Sequence, residues 1–98
     1  MQLQAIMRVH MNNHEAKSRD AILKRLARVE GQVRGIHAMI LRGEECEAVA
    51  QQFSAARKAL DKAYQEMLVC LAEDAILDPD QSNAEKLTQL RAIFTKYT

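Results

Sequence analysis

Two stripes of apolar residues constrain the fold more strongly than any other feature of this sequence. The longer stripe advances by alternate steps of three and four residues from Cys46 to Cys70. This spacing keeps side chains on one side of an α-helix, whereas a strand would need apolar residues at every second position. It predicts a helix over about residues 45–76 with these residues along one side: Cys46, Val49, Phe53, Ala56, Leu60, Ala63, Met67 and Cys70.

A shorter stripe of the same kind predicts an earlier helix from about Ser18 to Leu41. Its members are Ile22, Leu26, Val29, Val33, Ile36 and Ile40. Gly43 is expected to end this helix. Gly31 and Gly35 lie inside it and each costs about 1 kcal/mol relative to alanine. We therefore expect close packing, or the approach of a ligand, at these two glycines.

A third helix is predicted after the turn Asp78-Pro79-Asp80, because proline cannot continue the helical hydrogen bonds. Ser82 and Glu85 have the spacing of a capping box that opens this helix. Its predicted apolar stripe is Leu87, Leu90, Phe94 and Tyr97. With one proline, three glycines and four aromatic residues among 98, the chain is predicted to be all-α. We expect a flexible extension over residues 1–13, with Met11 as a candidate start of the ordered chain, and one helical domain over residues 14–98.

The composition excludes several classes of protein. Hydrophobic residues make up 48% and charged residues 28%, unlike a disordered chain. No run approaches the roughly 20 apolar residues of a membrane-spanning helix. The first ten residues do not resemble a secretory signal, so the two cysteines are expected to be reduced thiols in the cytoplasm. No phosphate-binding loop or catalytic set of residues is found, so we do not expect an enzyme.

The length of the second helix predicts association. About thirty residues span roughly 45 Å, which exceeds the diameter of a compact chain of this size. The simplest arrangement is a dimer in which the second helices pair antiparallel about a twofold axis. Cys46 and Cys70 are roughly 36 Å apart along one helix and cannot meet within a chain. Pairing centred near Lys58 would bring Cys46 toward the partner's Cys70.

The near-neutral net charge of +1 hides an asymmetry. Residues 1–43 carry eight basic and three acidic side chains, whereas residues 44–98 carry six basic and ten acidic ones. A basic half on a near-neutral protein suits a polyanionic partner. The alternative is that these side chains only solvate a helix face.

A family resemblance rests on two segments around the first cysteine. They are Arg25–Ile36, which reads RLARVEGQVRGI, and Gln52–Ala56, which reads QFSAA, with Cys46 between them. This part of the chain resembles the copper-sensitive operon repressor family, which includes the nickel/cobalt-sensing RcnR and formaldehyde-sensing FrmR branches. The resemblance implies an all-helical dimer of dimers, hence a homotetramer, without a helix-turn-helix. It also implies repression of transcription until an inducer acts near the first cysteine.

The resemblance transfers only in part to the site residues. Cys46 corresponds to the cysteine that nearly all branches share. The next two ligand positions of the family fall on Leu71 and Ala75, which have no donor atoms. A soft metal requires thiolate or imidazole ligands, so the usual copper site is expected to be absent. The N-terminal proline of the formaldehyde branch is also missing.

Two hypotheses for sensing remain beside the interpretation of Cys70 as a core residue. In the first, Cys46 lies at the positive end of a helix and reacts as a thiolate with an aldehyde, another electrophile or a sulfur species, with the partner's Cys70 as resolving thiol. In the second, Cys46, the partner's Cys70 and His14 bind Cu(I), Ni(II), Co(II) or Zn(II). A classical copper or nickel/cobalt repressor is the alternative within the family.

The candidate DNA-binding residues come from the basic side chains that lie off the apolar stripes. They are Lys24, Arg25, Arg28, Arg57, Lys58 and Lys62. The resemblance supports Arg25 and Lys62 in particular. Affinity for double-stranded operator DNA would come from phosphate contacts, and specificity from DNA shape and operator spacing. A helical interaction module without DNA binding is the further alternative.

Overall fold

The computed structural model describes residues 13–98, and side chains from residue 16 onward. It contains three α-helices: α1 over Asn13–Leu41, α2 over Cys46–Leu77 and α3 over Asn83–Tyr97. No strand occurs in this part of the chain, so the predicted all-α class is confirmed. Helix α1 begins five residues before the predicted Ser18, and the ends of α2 differ from the prediction by one residue. Residues 1–12 lie outside the described part, and the predicted flexible extension stays a prediction.

The link between α1 and α2 is a tight turn that reverses the chain. Gly43 has φ +71°, a left-handed conformation that is strained for residues with a side chain. Its N–H donates to the carbonyl of Ile40, and the Glu44 N–H donates to that of Met39, both at 3.0 Å. These two bonds form a Schellman motif, which satisfies carbonyls at the end of α1. Gly43 therefore ends α1 as predicted, and α2 folds back antiparallel to α1.

The link between α2 and α3 contains two local hydrogen-bonding motifs, a turn at Asp78 and a capping box at Ser82. The Asp80 N–H donates to Asp78 Oδ1 at 2.9 Å, which tightens the turn around Pro79. Ser82 Oγ accepts from the Glu85 N–H at 3.2 Å, and Glu85 Oε1 accepts from the Ser82 N–H at 3.4 Å. The predicted capping box is thus present and fixes the start of α3.

The structure divides each predicted stripe of α1 and α2 into two rows with a period of seven residues. One row of each helix faces the other helix of the hairpin and is buried. We call these the inner rows. The inner row of α1 is Ile22, Val29 and Ile36, and that of α2 is Val49, Ala56, Ala63 and Cys70. Near the end of the hairpin that contains the α1–α2 turn, they form a small core of Ile36, Val49 and Ala56, against which Met39 packs.

The second row of each helix is exposed, and we call these the outer rows. They are Leu26, Val33 and Ile40 on α1, and Cys46, Phe53, Leu60 and Met67 on α2. Both outer rows lie on the same side of the hairpin, since Leu26 lines one hollow with Leu60 and Met67, and Val33 and Ile40 line a second with Phe53 and Leu60. We call this side the open face. Phe53 and Leu60 are each 49% exposed there.

Helix α3 packs along the C-terminal half of α2, where the Tyr64 hydroxyl donates to the carbonyl of Tyr97. The predicted stripe of α3 is wrong in part. Ile93 is the buried residue and Leu90 is half-buried, whereas Leu87 and Phe94 are exposed. Because α3 contacts α2 alone among the described helices, it needs only a narrow apolar side, and that side is centred on Ile93.

The core of the described chain is small. It consists of nine apolar side chains, and no large side chain among the described residues is completely enclosed. Gly31 and Gly35 are both exposed, and an added Cβ would meet nothing within 4 Å at Gly35. The predicted close packing at these glycines is therefore not found within the described chain. No helix in the described part is long and apolar enough to cross a membrane.

Candidate functional site

Cys46 is the first residue of α2, and its side chain is exposed. The preceding Glu45 has φ −57° and ψ 137°, outside the helical region, and forms no capping hydrogen bond through its side chain. The first turn of α2 therefore has backbone N–H groups without a side-chain cap beside an accessible thiol. Cys46 also begins the outer row of α2, which places it at one end of the open face.

The surroundings of Cys46 are acidic. Glu44, Glu45 and Glu47 are all exposed, and of these only Glu44 forms an ion pair among the described residues, with Arg42. Glu47 lies in the first turn of α2, where a carboxylate is stabilised by the positive end of the helix dipole. Three carboxylates therefore lie close to Cys46 in the chain, at the end of α2 where the helix dipole is positive.

Cys70 occupies a different environment from Cys46. Its side chain is only 4% exposed and belongs to the inner row of α2. The sequence placed both thiols on one stripe facing a partner subunit, but the structure turns Cys70 toward its own chain. The physical reason is that each row repeats every seven residues. Cys46 and Cys70 are 24 positions apart, which is not a multiple of seven, so they belong to different rows. The proposed approach of Cys46 to the partner's Cys70 therefore requires Cys70 to leave its packed position.

The two other ligand positions that the resemblance indicates are apolar in the structure as well as in the sequence. Ala75 is buried, and Leu71 is 37% exposed. Among the residues with described side chains, no group of three or more histidine, cysteine, aspartate or glutamate residues is placed to hold a metal ion. The carbon side chains of Leu71 and Ala75 thus do not fit the family's copper site. His14 lies in the first turn of α1, and its side chain is outside the described part, so its role stays a prediction.

The six candidate DNA-binding residues fall into two groups. Arg57 and Lys58 line the larger hollow of the open face, next to Leu60. The other four lie outside both hollows: Lys24, Arg25, Arg28 and Lys62. Lys24 forms an exposed ion pair with Asp20 at 3.1 Å, which contributes little to stability. Arg25 is half-buried, whereas Arg28 and Lys62 are exposed and accessible to a polyanion.

Residue size along the stripe of α2 distinguishes the open face from the buried side, although the spacing of the stripe does not. In α2, the inner row has small residues at Ala56, Ala63 and Cys70, while the outer row has large ones at Phe53, Leu60 and Met67. Small side chains allow two helices to approach closely, and large exposed ones indicate a further partner. Sorting the stripe by residue size at intervals of seven would have separated the two rows.

Comparisons with known proteins give a consistent result. The model of a family described as metal-sensitive transcriptional repressor matches residues 18–96. The copper-sensing transcriptional repressor CsoR of Bacillus subtilis (strain 168) is 31% identical over 90 residues, which cover 90% of this chain and 89% of that protein. A variant of the formaldehyde-responsive regulator FrmR from Salmonella enterica serovar Typhimurium superposes with a TM-score of 0.69 at 26% identity. That match covers 84% of this chain and 92% of the FrmR chain.

The family match covers all of α2 and most of α1 and α3, and it includes Cys46 and the six basic candidates. The matching family and CsoR are named as transcriptional repressors and not as catalysts of a reaction, in agreement with the prediction that this chain is not an enzyme. The helical fold and the position of the exposed thiol agree with these matches. The chain belongs to the family of metal-sensitive transcriptional repressors.

Proposed function

We propose that this protein binds operator DNA as a repressor and is released when an inducer reacts with the thiol of Cys46. Membership of the repressor family implies operator binding and association between subunits. The observation that carries the finer proposal is the contrast between the exposed Cys46 thiol and the donor-free side chains of Leu71 and Ala75. A covalent reaction needs only an accessible thiol, whereas a closed metal site needs several ligands.

The burial of Cys70 also favours a thiol-reactive inducer over a metal ion. A metal site built from Cys46, the partner's Cys70 and His14 would need a thiol that is packed in the inner row of α2. An aldehyde, another electrophile or a sulfur species that reacts with Cys46 alone avoids this rearrangement. We therefore place the remodelled site for Cu(I), Ni(II), Co(II) or Zn(II) second. A helical module without DNA binding agrees less well with the family to which the chain belongs.

The experiment for this proposal compares the parent with Cys46→Ala and Cys70→Ala. Release from operator DNA is measured by fluorescence anisotropy after addition of formaldehyde, a persulfide donor or each of the four metal ions. We expect all three proteins to bind the operator, and Cys46→Ala to lose its response to the inducer. Cys70→Ala serves as the control for removal of a thiol, and we expect it to respond like the parent.

Two outcomes would contradict the proposal. If Cys46→Ala is released as readily as the parent, Cys46 is not the sensing residue. If the parent binds one Cu(I) tightly per subunit and is released by it, the inference from Leu71 and Ala75 is wrong. Such a protein would be a metal-responsive repressor with a remodelled ligand set.

The proposed DNA surface consists of Arg25, Arg28 and Lys62, with Lys24 at its edge. None of these side chains lines a hollow of the open face, and we propose that they stay accessible when a partner subunit covers that face. Arg57 and Lys58 were predicted to contact DNA too, but they line the hollow beside Leu60. We propose that Arg57 and Lys58 act mainly between subunits. We also propose that the protein works as a dimer or tetramer in the cytoplasm.

A further inference from the structure

His37 is a titratable residue on the open face. It lines the second hollow, which lies between α1 and α2 and has a volume of about 350 Å³. Seven of the nine residues that line this hollow are apolar, and the other two are His37 and Arg57. Both side chains are exposed in the described chain. A positive charge on His37 would therefore share a mainly apolar hollow with the guanidinium group of Arg57.

The charged groups around His37 are basic. Arg57 is the only charged side chain that α2 contributes to the lining of the second hollow, and α3 contributes none. On α1, the four residues one turn before or after His37 include a single charged side chain, that of Arg34. The carboxylate of Glu30 is two turns away, about 10 Å along the axis. None of these described neighbours within one turn or across the hollow is thus an acid that would stabilise a protonated imidazole.

Covering the open face changes the environment of His37. In the proposed function a partner subunit packs on this face, which removes water from the second hollow. Loss of water disfavours the charged form of an imidazole, and the positive charges of Arg57 and Arg34 disfavour it further. The neutral imidazole does not incur these costs. The covered state therefore binds a proton at His37 less readily than the open state does.

We propose that His37 makes the assembly sensitive to pH, so that its protonation uncovers the open face and weakens operator binding. Histidine is the side chain whose ordinary titration falls between about pH 5 and pH 8. Because the covered state binds fewer protons, association releases protons and weakens as the pH falls through this range. The inference rests on the proposed association of subunits through the open face, and it adds regulation by acid to that association.

Sedimentation equilibrium at about pH 8 and about pH 6 tests this sign. We expect the dissociation constant of the parent assembly to rise about tenfold in acid, and that of His37→Gln to change less than about twofold. His10→Gln is the matched control, because it removes a histidine that lies outside the described part of the chain. We expect it to behave like the parent, with unchanged helicity by circular dichroism at both pH values.

Three results of this measurement would overturn the proposal. The first is a parent whose dissociation constant is the same at both pH values. The second is a His37→Gln variant that retains the pH dependence of the parent. The third is a His10→Gln variant that loses the dependence, which would assign the titrating group to another part of the chain.

A permanent charge tests the mechanism independently of pH. His37→Lys places an ammonium group in the second hollow, and we expect it to associate about tenfold more weakly than the parent at the higher pH, with little further change in acid. Lysine and glutamine both remove the imidazole ring, so a role that depends on the packing of this ring alone would make the two variants alike. Equal association of His37→Lys and His37→Gln would contradict the proposal.

Operator binding gives a second readout, for which the proposal and general electrostatics predict opposite signs. Protonation of histidines adds positive charge, which by attraction to phosphates alone would strengthen DNA binding in acid. We expect the reverse for the parent in fluorescence anisotropy, at protein concentrations near the dissociation constant of the assembly, and no such loss for His37→Gln. Binding that strengthens equally in both proteins would contradict the proposal.

No inducer is present in these measurements, so their failure can be distinguished from failure of the proposed function. Assembly that is independent of pH, together with loss of induction in Cys46→Ala, would contradict the role of His37 and leave the proposed function intact. A parent that is monomeric at both pH values would contradict the association on which the role of His37 rests.

Discussion

Cys46 and Cys70 show how strongly the environment separates two residues of the same type. Both belong to one predicted stripe, yet one thiol is exposed at the start of a helix and the other is packed inside the hairpin. A buried thiol behaves mainly as a small apolar side chain, whereas an accessible one can react or bind an inducer. At the residue scale, burial therefore decides which of the two thiols is accessible to a reagent.

Gly35 and Gly43 are expected to respond in opposite directions to substitution by alanine. Gly35→Ala should raise the free energy of unfolding by about 0.5–1 kcal/mol, because Gly35 is exposed in the interior of a helix and has space for a Cβ. Gly43→Ala should lower it by about 1 kcal/mol or more, since φ +71° is strained for alanine. Urea denaturation at one fixed protein concentration measures both. If Gly35→Ala were destabilising, the close approach that the sequence suggested would occur between subunits.

A second prediction concerns the basic residues. Arg25→Ala and Lys62→Ala should each weaken operator binding at all salt concentrations tested and reduce the slope of log affinity against log salt by about one unit. Arg91→Ala removes an exposed positive charge from α3 and is the matched control. Helicity by circular dichroism should stay unchanged in all three variants. Equal effects in Arg91→Ala would indicate a general charge effect and contradict the proposed surface.

At the scale of the helix, α1 and α3 differ in how well their patterns predict their packing. The stripe of α1 has six members over more than five turns, and half of them form the buried row. The stripe predicted for α3 has four members, and the helix turns Ile93 inward instead. A short helix that contacts one neighbour can rotate by one residue at little cost, so the pattern in α3 does not fix its orientation.

The capping box of α3 leads to a prediction at the same scale. Ser82→Ala removes the acceptor for the Glu85 N–H and should destabilise the protein by about 1 kcal/mol. Asn83→Ala changes an exposed neighbour that forms no part of the box, and it should have a much smaller effect. Thermal unfolding followed by circular dichroism distinguishes the two. Equal losses in both variants would show that the box contributes nothing specific.

At the scale of the whole molecule, the described chain has too little core for its surface. Its buried residues lie in thin rows between helices, while the large side chains of the outer rows stay exposed on the open face. Burial of such side chains contributes about 25 cal/mol per Å² of apolar surface. Covering the open face therefore supplies a stabilising contribution that a single hairpin cannot provide for itself.

The corresponding prediction is that assembly depends on Leu60. Leu60→Glu should convert the protein to monomers at micromolar concentration, because a carboxylate on the open face would lose its hydration when a second copy covers that face. Val69→Glu is a suitable control, since Val69 is similarly exposed but lies outside both hollows. Sedimentation velocity measures the result. A monomeric parent, or an intact assembly in Leu60→Glu, would contradict the assignment of this face.

The sequence by itself determined the number of helices, their approximate ends and the family of the chain. These depend on local signals: the three-four spacing of apolar residues, the glycine at 43, the capping box at 82–85 and the segment around Arg25–Ile36. Only the tertiary structure decided which half of each stripe is buried, that Cys70 is enclosed while Cys46 is exposed, and that Arg57 lies beside an apolar hollow. The reason is geometric: spacing along a helix defines one broad apolar side, but the position of the neighbouring helix determines which part of that side is covered.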